Sequence, residues 1–313
     1  AKEQAATLRA AAIAHNWQGA RNRVFSEIKQ VYTELYFLQK AEAVTESNLR
    51  LVQSLQEVAR VGFEGNRAGL SDVLRAEMEL EELRERLQTL AADRQPRLSR
   101  LQALLGTETL PAPTFPDSLW EEPLPAAAAL ADSIAARNPQ LQRFQSDIAA
   151  LEAQKTVAEK MGMPGFTLGT SYTAVSPRTD MDVPENGQNI WLLPQVGIRL
   201  PVYRKQYRAA VQQTGGQQQA TRLQMEDTRQ QLLAEAETFV RDYQEAARKL
   251  QLYQRLKTLA QQSLDLLQTE FSAGTAGFEE LLQVERKLLQ YQLQIERARA
   301  NRNKAAYQLQ RLY

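Results

Sequence analysis

Apolar residues recur three and four positions apart over most of this chain, and every second position in one short stretch. From about Ala1 to Phe63, Ile28, Val31, Leu35, Leu38, Leu49 and Val52 keep the three-and-four spacing. That spacing predicts one long helix with a coiled-coil-like seam. Glu42, Thr45 and Gln56 fall on the same seam, so the contact is not uniformly dry. A helix of about 60 residues would run roughly 90 Å, too long to bury in a globular domain, so it has to pack laterally against its own partner helix and other chains. Leu80, Leu83, Leu87 and Leu90 predict a return helix, which Pro96 should kink or end. Gly106, Pro111, Pro113, Pro116, Pro123 and Pro125 then predict an extended surface connector. A helix should follow from about Ala126 to Lys160, broken near Asn138, with Pro139 opening its second part. A second long helix is expected from near Tyr203 to Phe271. Gly215 and Gly216 lie inside it, each costing about 1 kcal/mol relative to alanine, as a kink, a close contact or a tolerated weak spot.

Residues 164–202 change period. Phe166, Leu168, Thr170 and Tyr172 alternate with Thr167, Gly169 and Ser171, and Ile190 to Leu200 alternates likewise, with Val196, Ile198 and Leu200 against Gln195, Gly197 and Arg199. A polar loop with Pro177, Asp180, Asp182, Pro184, Glu185 and Gly187 joins them. One apolar face and one small or polar face fits a barrel strand with lipid outside and water inside. It equally fits a soluble hairpin with one buried face.

The long helical pattern occurs twice, at a fixed offset of 208 residues. Phe63 to Leu74 lines up with Phe271 to Leu282. The apolar spine matches on both sides, pairing Val31 with Phe239, Leu51 with Leu259, Val58 with Leu266, Leu80 with Leu288 and Leu101 with Leu309. A repeat of this length is a duplicated fold element, here a long helix, a tight turn and a long helix back. Gly65 and Asn66 suit a helix C-cap, and Gly274 takes that place in the second copy. Ser71 or Gly69 starts the return helix.

Composition narrows the function. Among 313 residues, 38 basic side chains balance 37 acidic ones, which excludes the net basic field of a nucleic-acid binder. There is no cysteine, hence no disulfide, thiolate metal site or cysteine nucleophile. No run of 18 apolar residues suggests a transmembrane helix. The single histidine, His15, stands on a polar helix stretch. Glu81-Glu82 and Glu121-Glu122 are adjacent acids on solvated faces. No metal-ligand spacing, phosphate loop or nucleophile–base arrangement is present. The sequence predicts no enzyme, no cofactor and no metal.

Together, the intact repeat, the Pro-rich connector, Asn138-Pro139, Pro164-Gly165-Phe166 and Gly197-Ile198-Arg199-Leu200-Pro201 resemble the TolC-like outer-membrane efflux proteins. In that family the hairpin tip reads roughly aromatic-x-x-Gly, five residues, then Asp-Val-Leu, a pattern that Phe63 to Leu74 fits with Asn66 in the glycine place and Phe271 to Leu282 fits with Glu280-Leu281-Leu282 at its end. The resemblance covers essentially the whole chain. It implies a mainly α fold of long antiparallel helical hairpins, forming an α-barrel when trimeric, plus a β-hairpin contributing to a transmembrane β-barrel. The expected segments are residues 1–105 and 203–313 as the two helical hairpins, 106–163 as connector and equatorial helices, and 164–202 as the barrel hairpin. The first repeat lacks its own β-hairpin, so roughly 100 residues of the family pattern are expected upstream of Ala1.

The resemblance further implies an outer-membrane exit duct of a tripartite efflux or type I secretion system, with its helices in the periplasm. It would be a passive conduit for small molecules, metal ions or proteins, a homotrimer in outer-membrane lipid served by a periplasmic adaptor and an inner-membrane pump. A periplasmic adaptor and a coiled-coil scaffold are the alternatives. Adaptors carry one helical hairpin and many short strands, and a scaffold needs no strands at all. The implied gate or constriction residues are Ser71, Asp72, Glu280 and Gln283. The family's latch arginine is Ala276 here, with Arg67 as a substitute. Phe63, Gly65, Asn66, Gly69, Phe271, Gly274, Thr275 and Gly277 are implied at the adaptor-docking tips. Phe166, Leu168, Tyr172, Val196 and Ile198 are expected to face lipid. Asp72 and Glu280 also suit a plain role as acids at helix N-termini.

Overall fold

The computed structural model describes residues 2–65, 68–109, 113–124, 127–177, 179–180, 187, 189–273 and 275–313, with the side chains of Ala127, Ala128 and Leu193 left aside. The elements run α1 (Lys2–Glu64), α2 (Leu70–Leu105), α3 (Ala127–Arg137), α4 (Pro139–Met161), β1 (Gly165–Thr173), β2 (Ile190–Arg199), α5 (Arg204–Ser272) and α6 (Phe278–Gln310). The fold is mainly α with one antiparallel hairpin, as the periodicity predicts. The chain divides into two compact units, residues 1–16 with 140–228 and residues 17–139 with 229–313.

The larger unit is held by its seams. Phe37, Leu38, Ala41 and Val52 of α1 join Leu80 and Leu83 of α2 and Leu289 and Leu293 of α6 in one apolar cluster. A second gathers Leu55 and Ala59, Ala76, Ala260 and Leu264 of α5, and Phe278, Leu281, Leu282 and Leu288. Each fully buried large apolar side chain contributes about 1.5–3 kcal/mol. Thr45 lies on the seam as expected; it is fully buried and donates to the Ala41 carbonyl at 2.7 Å. Glu42 faces Arg94 at 3.7 Å.

The connector after Gly106 straps this unit. Phe115 packs against Tyr32 and Tyr36, with ring centroids 5.0 and 6.3 Å away. Helix side chains donate to connector carbonyls: Tyr32 to Thr114 at 3.1 Å, Asn303 to Trp120 at 2.6 Å and Tyr243 to Glu122 at 3.0 Å. Asn138 is buried and donates its amide to the Leu312 carbonyl at 2.9 Å.

Two expectations change. Pro96 does not end α2, which continues to Leu105. Pro96 is exposed, and beside the lost backbone donor Arg97 supplies its guanidinium to the Asp93 carbonyl at 2.7 Å. Gly215 and Gly216 mark no close contact, because an added methyl at either would meet nothing within 4 Å. α5 runs through both without a break.

In the smaller unit, β1 pairs with β2 antiparallel, setting Phe166 opposite Ile198 and Leu168 opposite Val196. The expected alternation of β2 does not run unbroken to Ile190. The register shifts between Gly169 and Ser171, after which Leu192 faces Ser171 and Trp191 faces Tyr172. Pro194 lies in the strand opposite this shift and has no N–H to give the ladder, which is where a bulge belongs. The shift moves Trp191 onto the Tyr172 side, and their rings meet edge-on at 5.8 Å. Asp182, Pro184 and Glu185 of the intervening loop, and Pro111 and Pro125 of the connector, lie outside the described residues.

Leu281 is fully buried at the centre of the second cluster. Leu281→Ala should cost about 3 kcal/mol, seen as a lowered midpoint of helical ellipticity on heating in detergent. An unchanged midpoint would remove Leu281 from the core.

Candidate functional site at the helical hairpin tips

Each tip is a helix end, a few turn residues and a helix start, so it gathers unpaired backbone groups. At the first, the Gly65 N–H closes α1 onto the Val61 carbonyl at 3.1 Å, and the Ala68 N–H folds back to the Gly62 carbonyl at 3.1 Å. That return needs Gly62, since an added Cβ there would stand 3.0 Å from the Ala68 Cβ. Gly69 is the N-cap of α2 in extended conformation. Asp72 then caps it: its Oδ2 accepts from the Gly69 N–H at 3.1 Å while its own N–H donates to the Gly69 carbonyl at 3.0 Å. This is the carboxylate half of a capping box, favoured further by the helix dipole.

The second tip repeats the geometry with different chemistry. Gly277 caps α6 with nearly the same backbone angles as Gly69. The fold-back is made one position earlier, where Thr275 donates both its N–H, at 2.9 Å, and its hydroxyl, at 3.0 Å, to the Glu270 carbonyl. Glu280, in the place of Asp72, is exposed and makes no cap. Instead Glu279 bonds Arg75 of α2 at 2.7 Å and accepts from Gln283 at 3.2 Å. Arg75 and Gln283 are themselves repeat equivalents, and both reach the same carboxylate. The Arg75–Glu279 pair is half exposed, so it contributes about 0–1 kcal/mol and chiefly sets register.

The apolar residues diverge as well. Phe271 and Phe278 close on each other at 5.5 Å, and Phe278 is buried. Their equivalents Phe63 and Leu70 are 43% and 54% exposed, with Leu74 and Met78 exposed beyond them. The second tip is sealed and the first presents an apolar surface. Of the expected site residues, Arg67, Asn66 and Gly274 lie outside the described residues, and Ser71 is exposed beside Asp72. Arg75, Glu279 and Gly62 join the site beyond the residues that the family resemblance implies. The first two pair across separate helices and carry no spacing signature.

Behind the tips lies a polar group on an apolar face. Glu285 of α6 is fully buried, and neither of its oxygens accepts a hydrogen bond. Glu79 of α2 is also buried and is paired with Arg286. Burial pushes the Glu285 carboxyl up to about 7 from an ordinary 4.5. The nearby Asn48 amide opposes this without making a full hydrogen bond, Glu79 adds to it, and Arg286 opposes it.

Among the described residues there is no group of three metal-donor side chains and no helix long and apolar enough to cross a membrane. The model of the outer membrane efflux protein family matches residues 130–313, more than half of the chain. The chain belongs to the outer membrane efflux protein family. No curated protein sequence matches it. Solved structures share its fold. A membrane protein from Pseudomonas aeruginosa is 16% identical with TM-score 0.83, over 99% of this chain and 73% of its own. The outer membrane protein VceC of Vibrio cholerae is 18% identical with TM-score 0.77, over 99% and 73%. CusC is 18% identical with TM-score 0.84, over 98% and 72%.

As an outer membrane efflux protein, the chain is a passive channel of the outer membrane with its helical part in the periplasm, and not an enzyme. Such channels work with a periplasmic adaptor and an inner-membrane pump. The adaptor and scaffold alternatives fall with this membership.

Glu285 makes a stability prediction. Its folded pKa lies above its unfolded value, so its contribution is complete below about pH 4.5 and is lost as pH rises toward 7. Glu285→Gln should flatten that fall and be more stable than the parent by about 2–3 kcal/mol at pH 8. Denaturation midpoints at pH 4.5 and 8 check it, and an equal slope in both proteins would count against it.

Proposed function

We propose that the chain is one protomer of a trimeric duct. Residues 1–105 and 203–313 build the helical wall, 106–163 the equatorial region and 164–202 its share of the transmembrane barrel. The observation that carries this is an uncovered heptad stripe. Leu252, Leu259 and Leu266 of α5 are seven residues apart and 50–61% exposed. Val58 and Val61 of α1 are exposed too. A coiled-coil stripe of this kind requires a helix from another copy. The strand face made of Phe166, Leu168, Val196 and Ile198 is likewise exposed, at 61–78%. Together with Tyr172, it suits lipid, with Thr167, Gly169, Gln195 and Arg199 toward the lumen. Open strand edges cannot lie in lipid, so closure of the barrel also calls for further strands.

In this reading the tips are the periplasmic mouth and the adaptor-docking surface. The first tip, with Phe63, Gly65, Asn66 and Gly69 and its exposed Leu70 and Leu74, offers the apolar contact. The second, with Phe271, Gly274, Thr275 and Gly277, has Phe271 closed on the buried Phe278. Ser71 and Asp72 help to hold the mouth closed, with Arg67 as the substitute for the family's latch arginine and Gln283 as a neutral ring position. Glu280, exposed and uncapped, projects a carboxylate. Three such groups in a ring attract cations. The cargo is of a class that such a duct passes: small molecules, metal ions or proteins.

Light scattering of the full-length protein in detergent should give three copies, and Leu259→Glu should shift it to monomer. A parent protein that stays monomeric with its helices intact overturns the assembly. In planar bilayers, Glu280→Gln should lower cation preference and weaken block by multivalent cations, while Asp72→Ala should raise conductance. Unchanged selectivity in Glu280→Gln removes Glu280 from the constriction.

A further inference from the structure

Glu285 is the buried group that conduction leaves unused. It stands on α6 between Leu281 and Leu282 on one side and Leu288 and Leu289 on the other, where the two apolar clusters of the wall meet. From α1 it meets Asn48, whose residue is 4% exposed and whose Oδ1 also has no partner. From α2 it meets Glu79, which is held by Arg286, the neighbour of Glu285 on α6. Glu82 and Glu279 act on Arg286 in turn. From α5, the adjoining cluster receives Ala260 and Leu264, both apolar. The site therefore holds three buried acceptor atoms, two on Glu285 and one on Asn48, none of them in a formed hydrogen bond, with the Asn48 amide as the nearest donor to Glu285.

Buried acceptors require donors. A single proton on Glu285 converts one acceptor into a donor, and the Asn48 carbonyl oxygen is the acceptor left for it. We propose that Glu285 and Asn48 form a buried proton-binding site in the wall behind the tips, and that loss of the proton loosens α6 against α1 and α2 and eases opening of the mouth. The second half rests on the reading of the tips as the gate. An ionised Glu285 would leave a second buried negative charge beside Glu79, which already occupies Arg286, so helix separation or water entry is the relief available. The burial-raised affinity of the carboxyl places the exchange near neutral pH.

The test uses the full-length protein in nanodiscs and planar bilayers, in a His15→Gln background that removes the only imidazole. Amide hydrogen exchange over residues 281–289, corrected for intrinsic rates, should quicken by about threefold or more from pH 6 to pH 8. In Glu285→Gln it should stay at its pH 6 value throughout. Conductance should rise over the same interval in the parent and not in the variant. Equal pH dependence of exchange in both proteins overturns the site. Exchange that follows potassium chloride concentration instead of pH also overturns it, and assigns the three acceptors to a metal cation. Exchange that depends on Glu285 while conductance stays flat upholds the proton site and overturns its coupling to the mouth, which separates the site from the gate reading.

Discussion

Helices of more than 60 residues can be stabilised only from the side. Their ends are too few to matter, and their length exceeds any single core, so every turn has to find an apolar neighbour on an adjacent helix. In the larger unit that demand is met by the two clusters linking α1, α2, α5 and α6. The rest of the architecture follows from it. The turns between helices are short, because a long loop would shift one seam against the next. The connector stays on the outside, because the interior is already filled. The stripe of Leu252, Leu259 and Leu266 stays uncovered by these helices.

The duplication shows how far one backbone plan can carry different chemistry. Gly69 and Gly277 start their helices with nearly the same angles. The first copy spends its acid on its own cap, through Asp72, and leaves Phe63 and Leu70 open. The second buries Phe278 against Phe271, ties Glu279 to Arg75 and leaves Glu280 free. Seals and handles are thus divided between the two copies, so the tips are not equivalent surfaces for a partner.

Much of this was legible in the sequence because long helices repeat their pattern many times. The bounds of α1, α5 and both strands fall within one or two residues of the expected ones. The break at Asn138 and Pro139 was visible because proline starts a helix more readily than it continues one. The β2 parity departs from simple alternation at Pro194, since alternation alone does not reveal an extra residue; the proline itself is the available signal. Glu285 carries no signal in its residue type, yet it shares a helix face with Leu281, Leu282, Leu288 and Leu289, a placement that the three-and-four spacing already marks as buried. The Arg75–Glu279 link had no comparable trace, because pairing between distant helices is set by three-dimensional register.

The connector strap holds a lesson about how this chain can vary. Tyr32, Asn303 and Tyr243 all bind it through main-chain carbonyls, those of Thr114, Trp120 and Glu122. A carbonyl is the same whatever side chain it belongs to. Apart from Phe115, wedged between Tyr32 and Tyr36, and Glu121 and Glu122, whose carboxylates accept from Arg302 and Gln310, the strap can therefore drift in sequence without losing its place, while the helix residues that grip it cannot. The grip thus depends more on the hands than on the rope, so relatives should keep the donors on the helices longer than the stretch they hold.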